Sequence, residues 1–182
     1  MLYPLRSLFA LSCCFSLGAF ADPAPELLEQ IEVQGRQIHL IGDILELVPG
    51  MVVTQHSSSG KANQYFLRGF NLDHGTDFFT RVDGMPVNMR SHGHGQGYTD
   101  LNFIIPETLR SVAYQKDAYY ADVGDFSGAG SATFTTATAF DQPQLAITTG
   151  SDNYYRLIAL GSHQGTENQW LYALELQRHQ GP

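Results

Sequence analysis

The apolar positions of this chain fall into short runs, cut by loops rich in glycine, asparagine, aspartate and serine. Ile31-Glu32-Val33-Gln34-Gly35 alternates apolar and polar residues, the period of a short strand. Gly42-Asp43 then precedes Ile44, Leu45, Leu47 and Val48, with Pro49-Gly50 ending the run. That spacing predicts a helix of about two turns, capped by Asp43 and stopped by the Pro-Gly pair. Met51–Thr54 restarts as a strand, Gln64–Phe70 reads as another, and Phe78–Val82 as a third that ends in the Asp83-Gly84 turn. Ile105-Pro106-Glu107 opens a single helical turn with proline at its first position. Val112–Gln115 and the Thr/Ala-rich Ser131–Thr138 complete a strand-dominated α+β pattern.

The pattern changes after Phe140-Asp141-Gln142-Pro143. Two longer strands are expected, Leu145–Ser162 and Gln169–His179, joined by the polar turn Gln164–Asn168. In the second, Trp170, Tyr172, Leu174 and Leu176 share one face, while Leu171, Ala173, Glu175 and Gln177 share the other. An apolar outer face with aromatics at one end and a partly polar inner face fits a transmembrane barrel strand of ~10 residues. An amphipathic hairpin on a soluble sheet fits the same alternation, so periodicity alone leaves both open.

Composition narrows the setting. Arg6, the apolar run Leu8–Leu17 and Ala19-Phe20-Ala21 read as an export signal cleaved before Asp22. The run is shorter than the ~20 residues a membrane helix needs. The only cysteines, Cys13 and Cys14, lie within that signal, so the mature chain is expected to hold no disulfide and no thiolate metal site. Loss of Arg6 takes the formal charge of -8 one unit more negative. An acidic exported chain without a basic patch is a poor partner for nucleic acid. Residues 22–35 read as a flexible acidic leader ending in the alternating segment, residues 36–140 as one domain, and 145–182 as the strand pair.

Five segments in order carry a resemblance. They are Asp43-Ile-Leu-Glu-Leu-Val-Pro-Gly-Met51, Tyr65-Phe-Leu-Arg-Gly-Phe70, Val82-Asp-Gly-Met-Pro-Val87, Ile105-Pro-Glu-Thr-Leu-Arg-Ser-Val112 and the stretch Tyr119 to Phe134. Together residues 26–140 resemble the plug domain of TonB-dependent outer-membrane receptors, and the last strands resemble the start of their barrel. The resemblance implies a plug, with a mixed sheet and short helices, that closes a barrel of about 22 strands. It implies uptake of a scarce ligand (a siderophore, a metal ion or another small nutrient) rather than catalysis, with no resident cofactor. It also implies a TonB box, a segment taken up by the C-terminal domain of TonB, best matched here by Gln30, Ile31, Glu32, Val33 and Gln34. An alternating segment behind an open leader suits addition to a partner's sheet edge; the same residues could instead begin the plug's own sheet. A full barrel needs roughly 220 residues in strands alone, so the chain is expected to be a fragment, an interrupted reading frame or a plug with a different partner. In the first case the rest of the barrel is its partner. The expected location is the outer membrane, or the periplasm if only these residues are made.

Two groups of polar residues carry expectations of their own. Arg68 lies within what reads as an apolar strand, where a charge is expensive unless paired; by the resemblance, Arg68 and Arg81 are expected to face carboxylates on the barrel wall. Arg90-Ser-His-Gly-His-Gly-Gln-Gly-Tyr98 is a glycine-rich loop with two imidazoles. If it meets the Asn71–Asp77 loop, Asp73, His74, Asp77, His92, His94 and Tyr98 form a ligand tip. Imidazole and carboxylate donors suit Zn, Cu, Ni or Fe, with His92 and His94 as the candidate metal ligands. A His-x-His pair without an adjacent third ligand also suits a solvated turn or a loop that meets an organic chelate. Two further classes stand beside the transporter: a His-dependent metal hydrolase, and a soluble periplasmic plug-like module that binds a partner without transport.

Overall fold

The computed structural model describes residues 29–33, 41–55 and 61–180. The expected signal at residues 1–21, the leader up to residue 28, and Gln34 lie outside the described residues. Strand β1 is Glu29–Glu32 and helix α1 is Ile41–Leu45. Then come β2 (Met51–Thr54), β3 (Gln64–Leu67), β4 (Phe70–Leu72), β5 (Phe78–Val82) and β6 (Met85–Pro86). After a long loop follow β7 (Leu109–Lys116), β8 (Gly130–Thr136), β9 (Gln144–Thr149), β10 (Tyr155–Gln164) and β11 (Gln169–Arg178).

Three sheets result. The main one has the order β1-β7-β8-β5-β6, with β5 parallel to β8 and the other pairs antiparallel. A small antiparallel sheet, β2-β3-β4, packs beside it, and β9-β10-β11 form an outer antiparallel sheet with β10 in the centre. The core joins the helix, the small sheet and the main sheet: Ile44, Leu45, Tyr65, Phe78, Val112 and Phe134 are all essentially removed from water. Burial of these aliphatic and aromatic groups is the main favourable term in such a fold. Desolvation raises the pKa of the buried Tyr65 hydroxyl, and Asp100 and Tyr98 raise it further. The Tyr65 side chain is thus held neutral.

Several expected elements shift. Asp43 lies inside α1 rather than capping it. The helix is one turn long because Val48 precedes proline, which disfavours helical backbone; Leu47 and Val48 donate instead to Ile44 and Leu45 in tight i+3 turns. The expected single strand Gln64–Phe70 is a hairpin. Arg68 (φ 49°) and Gly69 (φ 87°) form a two-residue turn whose left-handed residues match strand twist, with Leu67 facing Phe70 across it. The expected strand Leu145–Ser162 is likewise two strands, since Gly150–Tyr154 turns back with Asp152 and Asn153 both at φ 54°. Thr148–Asn153 holds no apolar residue, and Gly150-Ser151-Asp152-Asn153 is a turn signal that the single-strand reading passed over. The Asp83-Gly84 hairpin and the proline-led turn at Pro106–Thr108 stand where the sequence puts them.

The outer sheet sorts its residues by face. Leu145, Ile147, Tyr155, Trp170, Tyr172, Leu174 and Leu176 lie on one face and are exposed. On the other, Arg156, Ile158 and Leu160 of β10 are buried. A single-layer sheet cannot bury its own face, so the cover comes from the main body.

Candidate functional site

The 71–77 and 90–98 loops meet. Asn88 joins them: its Oδ1 accepts from the Thr80 amide at 2.7 Å, and its Nδ2 donates to the carbonyls of Phe78 at 3.1 Å, Gly97 at 3.0 Å and Gly75 at 3.4 Å. The Thr99 amide donates to the His74 carbonyl at 2.8 Å, and Met89 and Tyr98 form a two-residue bridge that closes the base of the histidine loop. Gly97 sits at φ 88°, and a Cβ there would come within 2.7 Å of the Phe126 ring. Glycine is needed at that position both for its backbone and for its lack of a side chain.

This architecture places His74, His92, His94 and Tyr98 together. His92 stacks on Tyr98 with ring centroids 3.9 Å apart and 17° between planes. His94 lies 5.3 Å from His74 and 5.6 Å from His92, centroid to centroid. His74 is buried with a left-handed backbone (φ 52°); His92 and His94 are exposed. The backbone of Ala62 anchors the buried side. The Ala62 amide donates to the Tyr98 hydroxyl at 3.0 Å, and its carbonyl lies 2.8 Å from His74 Nδ1. A carbonyl only accepts, so Nδ1 carries the proton and neutral His74 has its lone pair on Nε2. Asp73 Oδ1 is 3.7 Å from that nitrogen. His92 takes the opposite tautomer: its Nδ1 accepts from the His94 amide at 3.2 Å, which puts the proton of the neutral ring on Nε2.

The cluster therefore offers imidazole acceptors and donors around a stacked aromatic pair at the surface. Asp77 is turned away: its carbonyl accepts from the Ala129 amide and its side chain lies beside Gly128. Among the described residues, no three His, Cys, Asp or Glu side chains are arranged to hold a metal ion. The expected metal pair His92 and His94 thus sits in a ring cluster, not in a preformed coordination set.

The expected arginines are engaged within the main body. Arg68 is on the hairpin turn, not in a strand, and bonds Asp117 at 2.9 Å with both side chains about half exposed. Arg81 donates to the carbonyls of Asp122 and Val123 and lies over the Phe79 ring. The ion pair between main body and outer sheet has the reverse polarity. Arg156 of β10 makes a bidentate contact to Glu107 at 2.6 and 2.8 Å, and its Nε bonds Glu175 of β11 at 2.5 Å. Sequence reasoning missed Asn88, Glu107 and Arg156, although Arg156 in Tyr155-Arg156-Leu157-Ile158 carries the same signal that drew attention to Arg68.

The leader segment forms an edge strand. Gln30, Ile31 and Glu32 pair with Ala113, Val112 and Ser111, and Val33 continues inward, donating to Arg110 at 2.8 Å with 3% exposure. Antiparallel alternation then turns the backbone groups of Gln30 toward the outer side of β1. Glu29 is held by the Tyr114 hydroxyl and lies 3.9 Å from Lys116 Nζ. Burial, followed by the Glu29 carboxylate, pushes the Tyr114 pKa up to about 12.

A mixed-sheet body with short helices, seated by a buried ion pair on the inner face of a sheet whose outer face is apolar, is a plug against the start of a barrel wall. Residues 26–131 match the family model of the TonB-dependent receptor plug domain, and the chain belongs to that family. This is a receptor family, not an enzyme family. Solved structures share the fold at low identity. The FrpB iron transporter from Neisseria meningitidis superposes with a TM-score of 0.58 at 18% identity, over 77% of this chain and 21% of that one. A chain of the FpvAI–pyocin S2 complex gives 0.61 at 20% identity over 86% and 20%. The copper transporter OprC gives 0.55 at 17% identity over 75% and 22%. The chain spans about a fifth of the length of these proteins.

Proposed function

We propose that this chain is the plug and first wall strands of an outer-membrane transporter, exported by its N-terminal signal, that binds and gates uptake of a scarce ligand. The observation that carries the ligand reading is the convergence of the 71–77 and 90–98 loops on one imidazole–tyrosine cluster. His74, His92, His94 and Tyr98 are the proposed contacts, with Asp73 beside them and Asp77 at the margin. The relatives named above act on iron or copper, or are found with a pyocin, so siderophore, metal ion and metal chelate are the ligand classes to test. A bare ion at either ring nitrogen of His92 displaces the bond from the His94 amide, because moving the proton off Nε2 puts it on Nδ1. Protons compete with an ion for imidazole lone pairs, so low pH opposes binding.

Calorimetry on the full chain with Zn, with Ni and with a ferric catecholate tests the site. Heat that His92→Ala with His94→Ala removes supports the reading. Full retention of that heat in the double variant overturns it.

For TonB, the proposed segment remains Gln30 to Gln34, with addition at the outer side of β1. Gln30→Pro is the informative change, because it removes an outward donor and spares the β1–β7 ladder. Ile31→Pro and Val33→Pro would break that ladder or the core. Gln30→Pro is expected to weaken binding of the TonB C-terminal domain about tenfold, read by titration, with the plug still folded. Unchanged affinity would place the box elsewhere.

A further inference from the structure

We propose that Arg156 is a separable latch between plug and wall, in which Glu107 is the partner that lets go and Glu175 the partner that stays. The Arg156 side chain is 2% exposed, and the two carboxylates are 25% and 20% exposed. All three charges therefore meet out of bulk water, where their bonds are strong and an unpaired charge is costly. The partners belong to different bodies. Glu175 stands opposite Ile158 in the β10–β11 register, so it is the diagonal neighbour of Arg156 on the same inner face of the wall. Glu107 belongs to the plug, in the tight turn Pro106–Thr108 that runs straight into β7, a central strand of the main sheet.

This division sets what happens when plug and wall part. Glu107 leaves with the plug and is hydrated, while Arg156 keeps Glu175 at its Nε. The wall is never left with a buried unpaired cation, the outcome that makes ordinary buried ion pairs hard to break. The bidentate bond gives the plug one seat and one orientation. Among the described residues, the other hydrogen bonds to the wall are neutral: Ser162 Oγ with the backbone of Phe140, and Gln169 with the Thr138 carbonyl, both in the connecting segment. The latch does not depend on which ligand or partner moves the plug.

Thiol labelling of the full chain in detergent, with Cys13 and Cys14 changed to serine, tests it. A thiol placed by Ile158→Cys, 3% exposed beside Arg156 on the inner face, reports parting of plug and wall. One placed by Ala132→Cys, fully buried in the plug, reports unfolding. Glu107→Gln is expected to speed labelling at position 158 about tenfold or more, and at position 132 by no more than about threefold. Glu175→Gln is not expected to speed labelling at position 158, because Arg156 keeps its bidentate partner and would be left unpaired on parting. Glu107→Gln combined with Arg156→Met should label no faster than the faster single variant, since the Glu107 contact is already lost in Arg156→Met. Equal acceleration at both thiols, an acceleration by Glu175→Gln as large as that by Glu107→Gln, or a multiplicative double variant would each overturn the latch.

Discussion

Asn88 shows how much of the candidate site rests on one side chain. It is buried and uses both ends of its amide, so nothing of similar size replaces it. Asn88→Ala takes the acceptor from the Thr80 amide and one donor from each of three carbonyls, of which Gly97 and Phe78 keep a threonine hydroxyl, and should destabilise the chain by about 1–3 kcal/mol. Asn88→Asp should do at least as much harm, because a carboxylate cannot donate to Gly97, Phe78 and Gly75. Denaturant unfolding of the three proteins checks both outcomes. Gly97→Ala should also lose stability, by about 1–3 kcal/mol, through its left-handed backbone and the collision with Phe126. Legibility at this scale was uneven. The histidines, Tyr98 and Asp73 could be nominated because their chemistry is visible in one letter each. Asn88 could not, since an asparagine in a polar loop looks the same whether it is solvated or holds two loops together. Arg68 misled for a related reason: its neighbours are apolar, but the turn at Arg68-Gly69 puts it outside.

At the scale of elements, β1 is the piece whose attachment is open to direct measurement. Its Glu29 accepts from Tyr114, whose pKa is raised to about 12 by burial and by that carboxylate. A folded pKa above the unfolded value of ~10 means stability that is complete below about pH 10 and is lost as pH rises toward 12. Stability to denaturant should therefore fall between those values. Tyr114→Phe should remove most of this pH dependence, while the contribution of Tyr65 persists. Elements were largely legible where a chemical stop marks them, as at Asp83-Gly84 and Pro106. The hairpin at Gly150–Tyr154 was readable in the same way, from Gly150-Ser151-Asp152-Asn153 between two apolar runs, and was passed over when those runs were joined into one strand. The short reach of α1 has a readable cause in Val48-Pro49.

For the molecule as a whole, the account places a plug on the inner face of a wall whose outer face meets lipid. The family and the strand-dominated α+β class were legible because five weak segments occur in order, each tied to a turn or a stop the fold requires. The seat of the plug on the wall was not, since Glu107 and Arg156 are distant in sequence and only the fold brings them together. Trp170 is the single tryptophan of the chain, on the exposed apolar face of β11 and 67% exposed, so its fluorescence reports that face alone. The central measurement is quenching of Trp170 in the full chain reconstituted with lipids brominated along the acyl chain, against quenching by aqueous acrylamide. The account predicts strong quenching by the brominated lipid and weak quenching by acrylamide. Strong quenching by acrylamide with none from the brominated lipid would contradict it, placing the β9–β11 sheet in water and the plug without a membrane wall.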